Sequence, residues 1–178
     1  MRFASLGSGS EGNALVVEVG HTRIMLDCGF GLRDTVRRLA AKSLQPEDVD
    51  AIVITHEHSD HIGGAARFAR KYRIPVWMTR GTLAVFRNQY AQLPEVRELD
   101  SHTAFAIGDI EIHPFPVPHD AREPVQFVFG DGIHRLGVLT DVGASTAHIE
   151  TCCPGAMRWY WSATMIAGCS TTAPIRPV

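Results

Sequence analysis

Long apolar runs are absent from this chain of 178 residues. No segment approaches the roughly 20 apolar residues that a membrane-spanning helix needs. The first residues also lack the apolar core of a signal peptide. We therefore predict a cytoplasmic protein that does not act at a membrane.

Cysteine and net charge are also scarce. The chain has four cysteines, and Cys152, Cys153 and Cys169 all fall in its last part. None shows zinc-finger spacing, so neither a disulfide framework nor a zinc finger is predicted. The formal net charge of −2 gives no general affinity for polyanions, so any contact with nucleic acid must be local. Nothing in the composition indicates a stable protein partner.

Apolar and charged residues are present in ordinary proportions, 45% and 20%. Their spacing predicts helices over residues 32–41, 64–72 and 82–89. It predicts strands over residues 14–19, 23–27, 51–54, 75–78, 103–106, 110–117, 125–129 and 134–139. Hairpins at both ends with helices between them favour an α+β fold of the αββα sandwich type over a doubly wound parallel sheet. Residues 1–150 are predicted to form this domain.

The glycine-rich segment 7–12 matches the dinucleotide-binding pattern G-x-G-x-x-G, and Asp27 follows at the expected distance. That pattern requires a helix directly after the loop, so that the helix N-terminus can hold the pyrophosphate. Here the alternating segment 14–19 predicts a strand instead. We therefore predict no nucleotide cofactor. The loop is interpreted as a turn beside the active site, with Ser8, Ser10 or Asn13 available for polar contacts.

Residues 56–61 match H-x-H-x-D-H and directly follow the apolar strand predicted over residues 51–54. The side chains of this motif that can bind a metal ion are His56, His58, Asp60 and His61. Imidazole suits zinc, and an added carboxylate suits a hydrolytic metal pair. The alternative, a surface loop that is rich in histidine by chance, is much less frequent for four specified positions.

Two further ligand candidates follow later strands. His119 follows a strand and is stiffened by the two prolines that precede it, and Asp141 follows the apolar strand that ends at Leu139. Asp141 can bridge two metal ions, and its alternative role is a helix N-cap. Asp27 can either orient a ligand or form a turn. Cys28 is interpreted as a small buried residue. The remaining histidines are interpreted as ordinary surface or core residues: His21, His102, His113, His134 and His148.

This order of features resembles the metallo-β-lactamase superfamily: a strand, the H-x-H-x-D-H motif and a helix, followed by a histidine and an aspartate after later strands. More narrowly, residues 5–13, 26–29, 117–121 and 139–143 resemble its YycJ/WalJ-type branch, bacterial metal-dependent hydrolases associated with exonuclease activity on DNA. The resemblance covers residues 1–150. It implies the metallo-β-lactamase fold, two divalent metal ions (zinc, with manganese as the alternative) and DNA as the substrate.

The resemblance also implies a role for each ligand. The first metal ion is assigned to His56, His58 and His119. The second is assigned to Asp60, His61 and a further histidine, and Asp141 bridges the two. Asp60 and Asp141 are thereby placed at the catalytic centre.

The segment 151–178 departs from this pattern. The family continues with a strand ending in Asn-His-Asp, whose histidine completes the second metal site, and this sequence has no such segment. One permissible set of codons for residues 151–166, read from the last base of the Thr151 codon, encodes Leu-Leu-Pro-Gly-Cys-Asp-Ala-Leu-Val-Leu-Glu-Cys-Asn-His-Asp. We therefore hypothesise a frameshift near Thr151. The domain is expected to be C-terminally incomplete, with a poorly packed tail, no partner strand at one sheet edge and an incomplete second metal site.

The expected activity is metal-dependent hydrolysis, in which a hydroxide held by two metal ions attacks a phosphodiester of DNA. One alternative is hydrolysis of another ester, a thioester or a lactam at the same centre, since substrate pockets lie outside the metal motif. A different alternative is an inactive metal-binding remnant, because the C-terminal ligand is missing.

Overall fold

The computed structural model describes residues 1–90, 93, 95–143 and 158–161. Within these residues, two β-sheets lie face to face, and helices cover the outer face of the first sheet. This arrangement confirms the predicted α+β sandwich and excludes a doubly wound parallel sheet. None of the described helices is long and apolar enough to cross a membrane.

The first sheet contains the N-terminal strands in the order β1-β2-β3-β4-β5-β6. These strands are β1 (Arg2–Gly7), β2 (Ala14–Val19), β3 (Thr22–Leu26), β4 (Ala51–Val53), β5 (Val76–Thr79) and β6 (Val96–Leu99). The first three pair antiparallel, whereas β3, β4, β5 and β6 run parallel. Because parallel strands end at one edge of a sheet, the residues that follow β3, β4 and β5 meet there. This edge is called the site edge below.

The second sheet has the order β11-β10-β9-β8-β7. Its strands are β7 (Phe105–Ile107), β8 (Ile110–Pro116), β9 (Val125–Gly130), β10 (Arg135–Leu139) and β11 (Arg158–Trp161). Neighbouring strands from β7 to β10 pair antiparallel, and β11 pairs parallel with β10. The ends of β8 and β10 reach the site edge and bring His119 and Asp141 to it.

Alternating side chains divide the core into layers. On one face of the first sheet, Met25 and Ile52 pack with Phe68 of a covering helix. On the other face, Ile24 packs against Phe127 of the second sheet. The helices are α1 (Leu32–Ala40), α2 (Ser59–Ile62), α3 (Ala65–Tyr72) and α4 (Arg80–Tyr90), and a 3-10 turn spans Pro46–Asp48.

Two strands of the first sheet were not predicted from the sequence. In β6 only Leu99 is buried, and in β1 only Leu6 is buried, so neither strand shows a clear apolar alternation. Both strands lie at the edges of the sheet, where each pairs with one neighbouring strand and is open on its other side. The segment 59–62, predicted as part of a loop, is a helical turn that begins after the extended residue His58.

The prediction that no partner strand follows β10 is wrong. The backbone of residues 158–161 pairs in parallel with β10, from Leu136 opposite Arg158 to Leu139 opposite Trp161. The sequence there is rich in aromatic residues, which favour strands, and an open sheet edge offers unpaired backbone groups. The rest of the tail, residues 151–157 and 162–178, lies outside the described residues, and so does the prediction that it packs poorly.

Candidate metal centre

Three histidine side chains converge where β4 and β8 reach the site edge. His56 and His58 follow β4, and His119 follows β8. Nε2 of His119 lies 3.2 Å from Nδ1 of His58. The ring of His56 lies 4.7 Å from the ring of His58 and 4.6 Å from the ring of His119, between centroids. Their ligand atoms all lie within 4.8 Å of one another, the arrangement that one divalent ion requires.

A second cluster adjoins the first and consists of His56, His61 and Asp141. Nε2 of His61 lies 2.5 Å from Oδ2 of Asp141, and Nε2 of His56 lies 3.9 Å from the same oxygen. Asp60 stands beside this cluster, with its Oδ2 at 3.4 Å from Nε2 of His61. The structure therefore brings all six predicted ligands together. It places Asp141 against His61 and near His56, the histidine that both clusters share.

Two buried polar atoms at the centre of these clusters lack a hydrogen bond. They are Nε2 of His56 and Oδ2 of Asp141, which account for two of the three such atoms in the described part of the chain. Oδ2 of Asp141 is instead in an ion-pair contact with Nε2 of His61. Burying a polar atom without a partner costs free energy, and a cation between these atoms removes that cost. The donor set, imidazole nitrogen with carboxylate oxygen, fits divalent metal ions.

Asp27 and Thr55 orient the ligand rings from behind. Oδ2 of Asp27 lies 2.7 Å from Nδ1 of His61, and its Oδ1 accepts the backbone N–H of Thr55 at 2.8 Å. Oγ1 of Thr55 lies 2.9 Å from Nδ1 of His56. Holding Nδ1 in this way directs Nε2 of each ring toward the metal position. Asp27 also has a positive φ of 58°, and its contact with His61 is consistent with the predicted role of orienting a ligand.

Thr55 was missed from the sequence, where its only signal is its place directly before the motif.

The glycine-rich loop contacts the centre through Asn13. Nδ2 of Asn13 lies 3.1 Å from Oδ2 of Asp60 and 3.1 Å from Nε2 of His61. Oδ1 of Asn13 accepts the backbone N–H of Gly9 at 3.1 Å, which folds the loop back onto the site. The loop joins the antiparallel strands β1 and β2 and no helix follows it. This topology excludes the interpretation of segment 7–12 as a dinucleotide-binding loop.

Burial and neighbouring charges shift the pKa values of His56, His61 and Asp141 in different directions. Burial, with the nearby His61, His119 and His58, lowers the pKa of His56 to about 2. Burial also opposes the charged form of His61, but the carboxylates of Asp27 and Asp141 outweigh it and raise the pKa of His61 to about 10. Burial acts against the charge of Asp141 as well, and the contact with His61 reverses this effect and lowers its pKa.

The other candidates lie away from the centre. His113 lies 3.6 Å from Glu111, and His134 lies 3.1 Å from Asp131, both at the surface. Neither these two nor His21 and His102 belong to a metal cluster of the described residues, and His148 lies outside those residues. Cys28 is fully buried, and burial raises the pKa of its thiol to about 12, so it is an inert core residue.

Comparison with known proteins agrees with the fold and the site. The Metallo-beta-lactamase superfamily profile matches residues 7–156. The chain is 33% identical to the exodeoxyribonuclease YycJ of Bacillus anthracis, over 88% of this chain and 60% of that protein. It is 35% identical to the exodeoxyribonuclease WalJ of Streptococcus pneumoniae serotype 2, over 80% of this chain and 54% of that protein. The chain thus spans little more than half the length of these relatives.

Among solved structures, the zinc-bound PqqB of Methylobacterium extorquens superposes with a TM-score of 0.77 at 15% identity, covering 91% of this chain and 72% of that one. This likeness concerns the fold alone. The resemblance to the YycJ/WalJ-type branch inferred from the motifs is confirmed by the sequence similarity. With its profile match over most of its length, the chain belongs to the metallo-beta-lactamase superfamily.

Proposed function

We propose that this chain is a metal-dependent phosphodiesterase that acts on DNA as an exonuclease. The observation that carries the proposal is the pair of adjoining ligand clusters, which share His56 and contain its buried Nε2 atom without a hydrogen bond. His56, His58 and His119 would hold one divalent ion. Asp60 and His61 would hold the other, with Asp141 between them. The abundance of imidazole favours zinc over manganese.

When bound, a divalent pair lowers the pKa of water so that hydroxide forms near neutral pH, and it stabilises the charge that develops on the phosphate. The chain's own residues fix where this happens. Thr55 and Asp27 hold the His56 and His61 rings by their Nδ1 atoms. Asp60 and Asp141 bring carboxylates into the centre, where their negative charge would offset the repulsion between two bound cations.

A basic surface supports a polyanionic substrate. The segment 61–90 contains six lysines and arginines and no acidic residue, in a chain whose net charge is −2. All six cations are exposed, and none forms a salt bridge with a described carboxylate. The N-terminus of α4 contacts the His119 loop, where the Gly81 N–H donates to Glu123 at 2.7 Å. One end of this basic segment, the start of α4, therefore lies against the loop that carries His119.

The names of similar proteins support a nucleic-acid substrate, since YycJ and WalJ are named exodeoxyribonucleases and another relative, from Thermus thermophilus, is named a ribonuclease. Hydrolysis of a thioester, a lactam or another ester remains the alternative within enzymes. A metal-binding remnant is the alternative outside them, because the predicted last ligand is absent from the sequence.

Metal counting and substrate assays distinguish these possibilities. The purified chain is loaded with Zn²⁺ or Mn²⁺, and its metal content is measured together with hydrolysis of end-labelled single- and double-stranded DNA, a thioester and a lactam. We expect two metal equivalents and stepwise shortening of DNA, and His119→Ala to reduce both metal content and cleavage. Turnover of the thioester or lactam without DNA cleavage would contradict the substrate. One equivalent or none, without turnover, would identify a remnant.

A further inference from the structure

Glu57 lies between two ligands of the first metal ion, and its carboxylate points away from them. Oε1 accepts the backbone N–H of Arg122 at 2.6 Å, and Oγ1 of Thr82 lies 3.4 Å from Oε2. Glu57 belongs to neither ligand cluster among the described residues. Its acidic side chain is therefore occupied by a contact with the loop that carries His119.

The loop between β8 and β9, residues 117–124, is held where it leaves and rejoins the sheet. The N–H of Val117 donates to the carbonyl of Pro124 at 3.2 Å, and the N–H of Val125 donates to the carbonyl of Thr55 at 3.1 Å. On its outer side, Oγ1 of Thr79 donates to the carbonyl of Glu123 at 3.0 Å. These bonds fix the ends of the loop.

The position of His119 depends on the middle of this loop. On one side of His119, the carbonyl of Pro118 accepts the N–H of Gly143 at 2.8 Å. On the other side, the N–H of Arg122 is held by Glu57. Side chains alternate along an extended segment, and His58 is extended, so Glu57 can face the loop while its two neighbours face the metal position.

From this geometry we infer that Glu57 is a positioning residue that fixes the position of His119, the third proposed ligand of the first metal ion. The three consecutive residues His56 to His58 then have two functions. His56 and His58 are ligands, and Glu57 holds the loop that carries the third ligand, His119. A carboxylate that accepts a backbone N–H forms a charge-assisted hydrogen bond, stronger than a neutral one. The inference rests on the proposed metal centre, and it concerns the affinity and geometry of that centre.

The test measures metal binding by Glu57→Ala and Glu57→Gln. Loss of groups that orient a ligand typically weakens metal binding about 10- to 100-fold. We expect this loss in Glu57→Ala for one of the two equivalents, measured by competition with a chelator. Glu57→Gln keeps an oxygen that accepts the Arg122 N–H, so it is expected to recover most of the affinity. Cobalt(II) absorption spectra, which report coordination geometry, should change in Glu57→Ala and remain close to the original in Glu57→Gln.

A double-mutant cycle separates positioning from general destabilisation. If Glu57 acts through His119, then Glu57→Ala causes no further loss of metal affinity in a chain that already carries His119→Ala. The matched control is Asp48→Ala, which removes a carboxylate bond to the Gln45 N–H, 2.7 Å long, at the opposite end of β4. This control is expected to leave metal affinity unchanged.

The possible failures are distinguishable. Unaltered metal affinity in Glu57→Ala, or a full additional loss in the His119→Ala background, would overturn the role of Glu57 while leaving the metal centre intact. Absence of metal binding by the unaltered chain would overturn the proposed function itself, and this inference with it.

Discussion

At the scale of single residues, Asp27 shows how one side chain ties the fold to the site. It follows β3, has a left-handed backbone conformation, and is almost fully buried. Aspartate and asparagine adopt this conformation more readily than most residues. Its carboxylate receives the Thr55 N–H and contacts Nδ1 of His61, so its burial is compensated by these partners.

Asp27→Asn is expected to weaken binding of the second metal ion about 10- to 100-fold, because the amide supports the His61 ring without a negative charge. The first ion, for which His56, His58 and His119 are the proposed ligands, should keep most of its affinity. Chelator competition with the loaded chain measures both constants. Asp34→Asn serves as the control, since Asp34 pairs with Arg37 and Arg38 on the surface of α1. Equal loss in both variants would contradict the assigned role.

At the scale of elements, the short helix α2 is fixed by backbone contacts with the loop after β3. The N–H of Cys28 donates to the carbonyl of His61 at 2.7 Å, and the N–H of Gly64 donates to the carbonyl of Cys28 at 2.8 Å. A Cβ placed on Gly29 would lie 1.8 Å from the carbonyl oxygen of Asp60. Glycine is required there because two backbones approach each other closely.

Gly29→Ala is therefore expected to destabilise the chain by about 1–3 kcal/mol or more, the usual cost of overfilling a packed site. It should also weaken metal binding, because it displaces the helix that carries Asp60 and His61. Gly31→Ala is the matched control, since a Cβ at Gly31 has no neighbour within 4 Å among the described residues. Chemical unfolding curves for both variants measure the difference, and equal stability of the two would contradict the packing argument.

The sequence indicated elements well where burial imposes a period. The fully buried strand β4 and the helix α1 were predicted within a residue or two of their observed bounds. The edge strands β1 and β6 were not, because their residues are mostly in contact with solvent and follow no apolar alternation. Strand β11 was unexpected for a related reason, since an open sheet edge accepts a strand by backbone pairing.

At the scale of the whole molecule, the match to the family profile stops before the last part of the chain. The family profile ends at residue 156, close to the frameshift hypothesised near Thr151. The shifted frame would place a strand and an Asn-His-Asp segment after β10, and the histidine would complete the second metal site.

Restoring that frame is expected to strengthen binding of the second metal ion by at least about tenfold, since even groups that only orient a ligand contribute about 10- to 100-fold. The first ion should bind equally in both chains. Metal content by native mass spectrometry, and titration of each chain, measure the change, and sequencing of the locus tests the hypothesis directly. A locus that encodes residues 151–178 in frame, with no gain in the restored chain, would refute it.

The sequence by itself determined the family, and it predicted six candidate ligands and the strand ends that carry them, because the motif spacing is local and strand ends follow from periodic burial. The tertiary structure decided which atoms meet. Glu57 reaches Arg122 across 65 positions, and Asp27 reaches His61 across 34. Such pairs depend on how the parallel strands align at the site edge and how the two sheets pack, and no local pattern in the chain encodes those distances.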